Sequence, residues 1–241
     1  FLIDYLTQGG AKVIVYDVLF AERDQQRFKI GEDEWTGEES DQALIDATAK
    51  AGMVVMAGEA ASAALADPSK AVPQRLEEVP SLNQPFGVDD CVERRPVVTP
   101  PFLELAKAAR AIGHTLFVVD SNGALRRVAP LVRVGDRVVP SLALVSSMIA
   151  QGVDASAVRA EGGELAIGPR RVPLVEQRIA DFENADARAC RALIAWRGPT
   201  QNANGQPSFQ SYSAFDLLRS YQALLEGVKP DSGRAVVSLH I

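Results

Sequence analysis

The sequence predicts a mixed α/β domain in which a largely buried central sheet is flanked by helices and extended by β-hairpins. Three observations predict it. Two short, continuously apolar runs, KVIVY at 12–16 and MVVMA at 53–57, have the composition of parallel strands buried on both faces. Between and after them lie segments with apolar residues at helical spacing, as helices covering such a sheet require. Two turns, Gly135-Asp136 and Gly168-Pro169, each separate segments of hairpin type.

Taken in order, Leu2, Ile3 and Leu6 have helical spacing, and Gly9-Gly10 is a stop. The strand 12–16 ends at Asp17. Residues 21–39 are polar and acidic with Trp35 alone among them, and read as a surface excursion. Ser40 can cap a helix running to Lys50, with Gly52 ending it. After the second apolar strand, 60–96 carries no firm element and reads as a long loop. Thr99-Pro100-Pro101 starts a helix whose apolar stripe is Phe102, Leu105, Ala106, Ala109 and Ile112. A strand over 114–119, an Asp-Ser-Asn-Gly turn and a strand over 125–134 follow. Beyond Gly135-Asp136, a helix over 141–149 turns Leu142, Val145 and Ile149 inward and stops at Gly152. The hairpin at 164–174 places Pro173 at an edge or end, where its missing N–H does no harm. A strand over 191–196 precedes a Gln- and Asn-rich loop. Ser213 and Asp216 resemble a capping box for a helix burying Phe215, Leu218, Tyr221 and Leu225. A last apolar strand covers 235–241.

Composition narrows the function. With 241 residues, 47% hydrophobic and 23% charged, the chain suits one sizeable folded domain. A net charge of −6 argues against a nucleic-acid surface, which needs a basic stripe. No run is long and apolar enough to span a membrane, and the N-terminus lacks the basic start of a signal peptide. Beginning at Phe1 without an initiator Met, the chain reads as a fragment of something longer. Cys91 and Cys190 are the only cysteines and lack metal-ligand spacing. Two readings of them stand open: a disulfide in an oxidising compartment, or two small buried hydrophobes, the commoner use.

The sharpest catalytic candidate is Asp120, in FVVDSNGAL at 117–125. This run resembles the first motif of haloacid-dehalogenase-type phosphatases, in which a strand-end Asp attacks phosphorus and a second Asp two residues later is the general acid/base. Asn122 stands at that second position and cannot serve as an acid, and no magnesium-binding acid pair follows. An Asx turn, with Gly123 supplying the positive φ, explains the same residues better. Asp17 ends a buried strand, where open α/β sheets place ligand-binding groups, although a cap or a salt bridge is the plainer role. His114 starts a strand without a Ser, Cys or second His nearby, as a core histidine does. Arg126 leaves the 120–123 turn, and Trp196 with Arg197 closes the late strand, where a pocket frame and a strand-end aromatic are equal readings. No phosphate loop and no nucleophile–base set is visible, so no catalytic residue, metal ligand or cofactor is expected.

Several landmarks occur together and in order: GGAKVIVYDVLF at 9–20, the Gly113-His114 strand, DSNGALRRVAPL at 120–131, PSLAL at 140–144, VPL at 172–174, AWRGP at 195–199, and the helix start around Tyr212-Ser213 and Asp216 to Leu218. This ordered set resembles the CHASE2 family of extracytoplasmic sensor domains and covers most of 1–241. The resemblance implies the periplasmic part of a bacterial inner-membrane receptor, joined to the membrane by flanking helices, with a cytoplasmic adenylate/guanylate cyclase, histidine kinase or serine/threonine kinase as output. On this reading the chain senses a small-molecule or envelope signal near Asp17, Asp120 and Arg126, and the parent protein, not this stretch, holds the enzyme. The family's first strand and Pro/Trp-containing helix start lie upstream of Phe1. Its usual Gly-ended final strand is replaced by GRAVVSLHI. The phosphohydrolase using Asp120 is the disfavoured alternative. A purely structural, homodimer-forming extracytoplasmic domain is the third reading.

Overall fold

The computed structural model describes residues 1–30, 33–61, 76–117, 119, 122–179, 188–196, 198–199, 201–206 and 211–225. It is a mixed α/β fold, as the patterning predicts. The chain divides into two compact units, Val13–Ile194 and Phe1–Lys12 with Ala195–Ile241.

The elements follow from local chemistry. Helix α1 (Leu2–Gln8) ends at the Gly9-Gly10 turn, where Gly10 takes φ +82°. Strand β1 (Ile14–Tyr16) is followed by a hairpin, β2 (Arg27–Ile30) and β3 (Asp33–Thr36), inside the stretch expected to be a bare surface excursion. Helix α2 (Gly37–Ala51) begins one turn before Ser40. Its cap is Thr36, whose Oγ1 accepts from the Glu39 amide while Glu39 Oε2 accepts from the Thr36 amide. This reciprocal box satisfies two otherwise orphaned donors, and those bonds hold the Glu39 carboxyl below its usual range. Gly52 ends the helix in the left-handed conformation, as expected.

Strand β4 (Val54–Ala61) is the centre of the first sheet. It pairs in parallel with β1, Val55 facing Val15, and on β8 (Ala111–His114), with Met56 facing Ile112. Its far end pairs antiparallel with β7 (Val97–Thr99). Val54, Val55, Met56 and Ala57 are fully buried, the mark of a strand covered on both faces. Two short strands, β5 (Gly87–Val88) and β6 (Glu93–Arg94), precede β7 in the region read as a loop. Helix α3 (Leu103–Ala108) is shorter than its stripe predicts: Ala109 is already extended at ψ 141°, and Ile112 belongs to β8. The strand therefore covers Ala111–His114, and 115–117 of the expected 114–119 lie beyond it. Apolar residues of the 102–112 stripe satisfy either period, and pairing with β4 decides in favour of the strand.

The expected strand at 125–134 is two strands in different sheets, β9 (Arg127–Val128) and β10 (Leu131–Val134), parted at Pro130, which has no N–H to give a ladder. Gly135-Asp136 joins β10 to β11 (Arg137–Pro140) as predicted, and β6 adds in parallel to β10. Helix α4 (Leu142–Gln151) starts at Ser141, whose Oγ accepts from the Leu144 amide 3.2 Å away, and stops at a left-handed Gly152. It buries two faces: Leu142, Val145 and Ile149 pack with Val55 and Ala111, whereas Leu144 and Met148 join Leu131, Val138 and Val158.

The third sheet is a meander of β12 (Val158–Glu161), β13 (Glu164–Ile167), β14 (Arg170–Arg178) and β15 (Arg188–Leu193), with β5 and β9 on its edges. Pro173 lies where β14 exchanges its partner β13 for β15, so no ladder bond is lost there. Strand β15 starts and ends three residues before the expected 191–196. In the smaller unit, helix α5 (Ala214–Leu225) sets Tyr221 against Tyr5 at 5.5 Å between ring centres. Three residues of its predicted inward face, Phe215, Leu218 and Leu225, are exposed, Tyr221 is half-buried, and Leu217 is buried instead. The strand expected over 235–241 lies outside the described residues.

Candidate functional site

A cavity of about 460 Å³ opens in the Val13–Ile194 unit. Val15 and Asp17 line it from the end of β1, and His114, Thr115, Leu116 and Phe117 from the end of β8. Leu125, Arg127 and Val128 come from β9 and its approach, Ile194 from the end of β15, and Ser141, Leu142, Ala143 and Ser146 from the first turns of α4. It lies at the carboxyl ends of parallel strands, where open α/β sheets bind ligands. The volume falls in the range of small-molecule pockets, and most of the lining is apolar.

Two local features shape it. Val15 and Asp17 are two residues apart and so share one face of β1, giving an apolar wall that ends in a carboxylate. Gly113 lets α4 approach β8 closely: a Cβ there would sit 2.4 Å from Leu142 Cα and 2.7 Å from its nitrogen. Only glycine permits that contact, which brings the first turn of α4 over the strand ends.

The polar groups of the wall differ in what they offer. Ser146 Oγ donates to the Leu142 carbonyl at 2.6 Å and Ser141 Oγ caps α4, so both hydroxyls are engaged. Arg127 has an interaction of its own. His114 is 1% exposed, and burial, with the Arg95 charge second, holds its imidazole down to about 3, so the ring is neutral. Its Nδ1 accepts from the Leu116 amide at 3.2 Å, which leaves the proton on Nε2. That Nε2 has no partner and is closed off from solvent. Asp17 is exposed and makes no hydrogen bond or ion pair among the described residues, so it is neither the cap nor the salt bridge that its position first suggests.

Of the other predicted positions, Arg126 stands between two lining residues, Leu125 and Arg127, without being one itself. Arg126 donates to Asn122 Oδ1 at 2.8 Å, and the same oxygen accepts from the Ala124 amide beside Gly123 at φ +78°. That is the Asx turn the sequence suggests. Trp196 belongs to the smaller unit and is exposed. Asp120 and Arg197 lie outside the described residues. Among the described residues, no three His, Cys, Asp or Glu side chains gather as a metal site.

Beside the site lie an ion cluster that had no signal in the sequence and a disulfide that the sequence left open. Glu93 is 1% exposed, and its Oε2 accepts from Arg191 Nε at 3.0 Å and Nη2 at 2.7 Å, while Arg95 Nη2 donates to Oε1. Next to this cluster, Cys91 and Cys190 form a disulfide with Cα atoms 5.2 Å apart, which decides between the two readings of the cysteines. Together they tie the 91–95 segment to β15, and Ile194, which follows β15, lines the cavity and donates its amide to the Arg126 carbonyl. Spacings of this kind, 98 residues from Glu93 to Arg191, leave no local pattern to read.

Among the described residues, no helix is long and apolar enough to cross a membrane. No curated protein and no solved structure matches the chain. A family model, that of the CHASE2 domain, matches residues 1–237, essentially the whole chain. The chain belongs to the CHASE2 domain family of extracytoplasmic sensor domains.

Proposed function

We propose that the chain is the periplasmic sensing domain of a bacterial inner-membrane receptor, that its signal binds in the cavity at the ends of β1 and β8, and that binding is coupled to a cytoplasmic cyclase or kinase. The observation that carries this reading is the cavity itself, a largely apolar space of about 460 Å³ with few polar groups at the carboxyl ends of parallel strands. The Cys91–Cys190 disulfide supports an oxidising compartment such as the periplasm. Coupling requires that the ligand bind two arrangements of the receptor with different affinity. Asp17 is the candidate contact that the wall leaves free, and Arg126 braces the turn at its edge.

The test is a thermal-shift screen of small molecules on the natural domain and on Ser146→Phe, which fills the cavity from α4. A compound that raises Tm in the natural domain and not in Ser146→Phe is expected, and the same compound should change the output of the intact receptor. Stabilising compounds that act equally on both proteins would overturn the cavity as the sensing site.

A further inference from the structure

We propose that this cavity takes an organic cation with an apolar body, its ammonium group received by Asp17. The inference rests on the reading of the cavity as the sensing site and adds the chemistry of the ligand. Among the described residues, the lining has two charged side chains, Asp17 and Arg127. Arg127 is already engaged, whereas the Asp17 carboxylate has no partner among the described residues. The histidine in the wall does not compete for it, because its ring is neutral and its Nε2 is shut away from solvent. Ser146 Oγ gives its proton to the Leu142 carbonyl and Ser141 Oγ accepts from the Leu144 amide, which leaves each serine an uncharged contact at most. Among the described residues, what remains for a ligand is a largely apolar wall with one unpartnered negative charge at its end.

The geometry matches a molecule with a charged end and a hydrophobic body. Val15 precedes Asp17 on the same face of β1, and Leu116, Leu142 and Ile194 continue the apolar surface. Phe117 lines the cavity with an exposed ring, 73% accessible, and its face can hold an ammonium near Asp17's side of the molecule or an aromatic body beyond it. The first turn of α4 also lines the cavity and its partial positive charge would favour an anion. Its Leu144 amide is taken by Ser141 Oγ and its Val145 amide by the Ser141 carbonyl, whereas no acceptor among the described residues takes the Leu142 and Ala143 amides, so an anion of the same shape is the rival that the titration has to exclude.

Three probes of nearly equal shape separate the possibilities: phenethylamine as its ammonium, phenethyl alcohol and phenylacetate. Their affinities are measured by titration calorimetry on the natural domain, on Asp17→Asn and on the cavity-filled Ser146→Phe. Asp17 is exposed, so the variant should fold unchanged, which circular dichroism checks. The ammonium is expected to bind about fivefold tighter than the alcohol, the gain of a partly solvated ion pair, and to lose that margin in Asp17→Asn and at high salt. Phenylacetate should bind most weakly. If the three bind alike, or phenylacetate binds tightest, the cation inference falls while the cavity stands. If none binds, or binding persists undiminished in Ser146→Phe, the sensing site falls with it.

Discussion

Glu93→Gln keeps the shape of a buried side chain and removes the charge that faces two guanidinium groups. In the natural protein Oε2 takes two bonds from Arg191 and Oε1 takes one from Arg95. Arg191 is 3% exposed and cannot turn its charge to water. Removing one partner of a buried ion pair costs about 3–5 kcal/mol, because the remaining charge stays desolvated. The Arg95 side chain, 14% exposed, regains some hydration, which favours the lower end of that range. A loss of about 3 kcal/mol in a unit of this size lowers Tm by about 6–12 °C. Urea unfolding followed by circular dichroism measures it: the midpoint should fall while the slope m stays unchanged. Removing both charges together, in Glu93→Met with Arg191→Met, should cost less than Glu93→Gln alone, since no full charge is then left at the centre of the cluster. A Glu93→Gln protein within about 1 kcal/mol of the natural one would refute the reasoning, because buried charge would then be costing nothing.

Three further outcomes follow from the same structure. The Cys91–Cys190 bond closes a loop with a sequence separation of 99, so its loss should destabilise the domain by about 2–5 kcal/mol. A thiol reductant should reproduce that loss in the natural protein and have no effect on the Cys91→Ser, Cys190→Ser double variant, as chemical denaturation will show. His114 is held near 3 in the folded state and has an ordinary value of 6.5 when unfolded, so its contribution is complete above about pH 6.5 and is lost as pH falls toward 3. Over that window the natural domain should lose up to about 4 kcal/mol more than His114→Gln, an order-of-magnitude figure read from stability against pH. Gly113→Ala should destabilise by about 2 kcal/mol or more, since the new Cβ meets the Leu142 backbone, which cannot swing aside as a side chain can. A melt equal to that of the natural protein would refute the close packing of α4 on β8 as the reason for glycine at this position.

Much of the frame is legible in local pattern. KVIVY and MVVMA became β1 and β4, paired in parallel, because a run of apolar residues without alternation suits burial on both faces. Gly135 and Gly152 stand where a positive φ is needed, and the chain turns at the one and stops a helix at the other. Asp17 could be singled out because it ends one of those strands. The errors have a common cause. Residues 102–112 fit a helical stripe, yet Ile112 pairs with Met56, and 125–134 reads as one strand that Pro130 divides between two sheets. In both, partners remote in the chain outweigh the local period.

Local pattern was enough for the fold class, the two parallel strands and the family, since these rest on periodicity, turn chemistry and motifs in order. The candidate site became visible only in the closed chain. A wall running from Val15 to Ile194 is assembled by strand order, and no neighbour of Asp17 in the chain says that its carboxylate is left free. The same holds for the neutral ring of His114 and for the pairing of Glu93 with Arg191. Apolar pattern reports how deeply each residue is buried along its own element. The worth of a charge depends on what faces it across space, and that is settled when the chain closes.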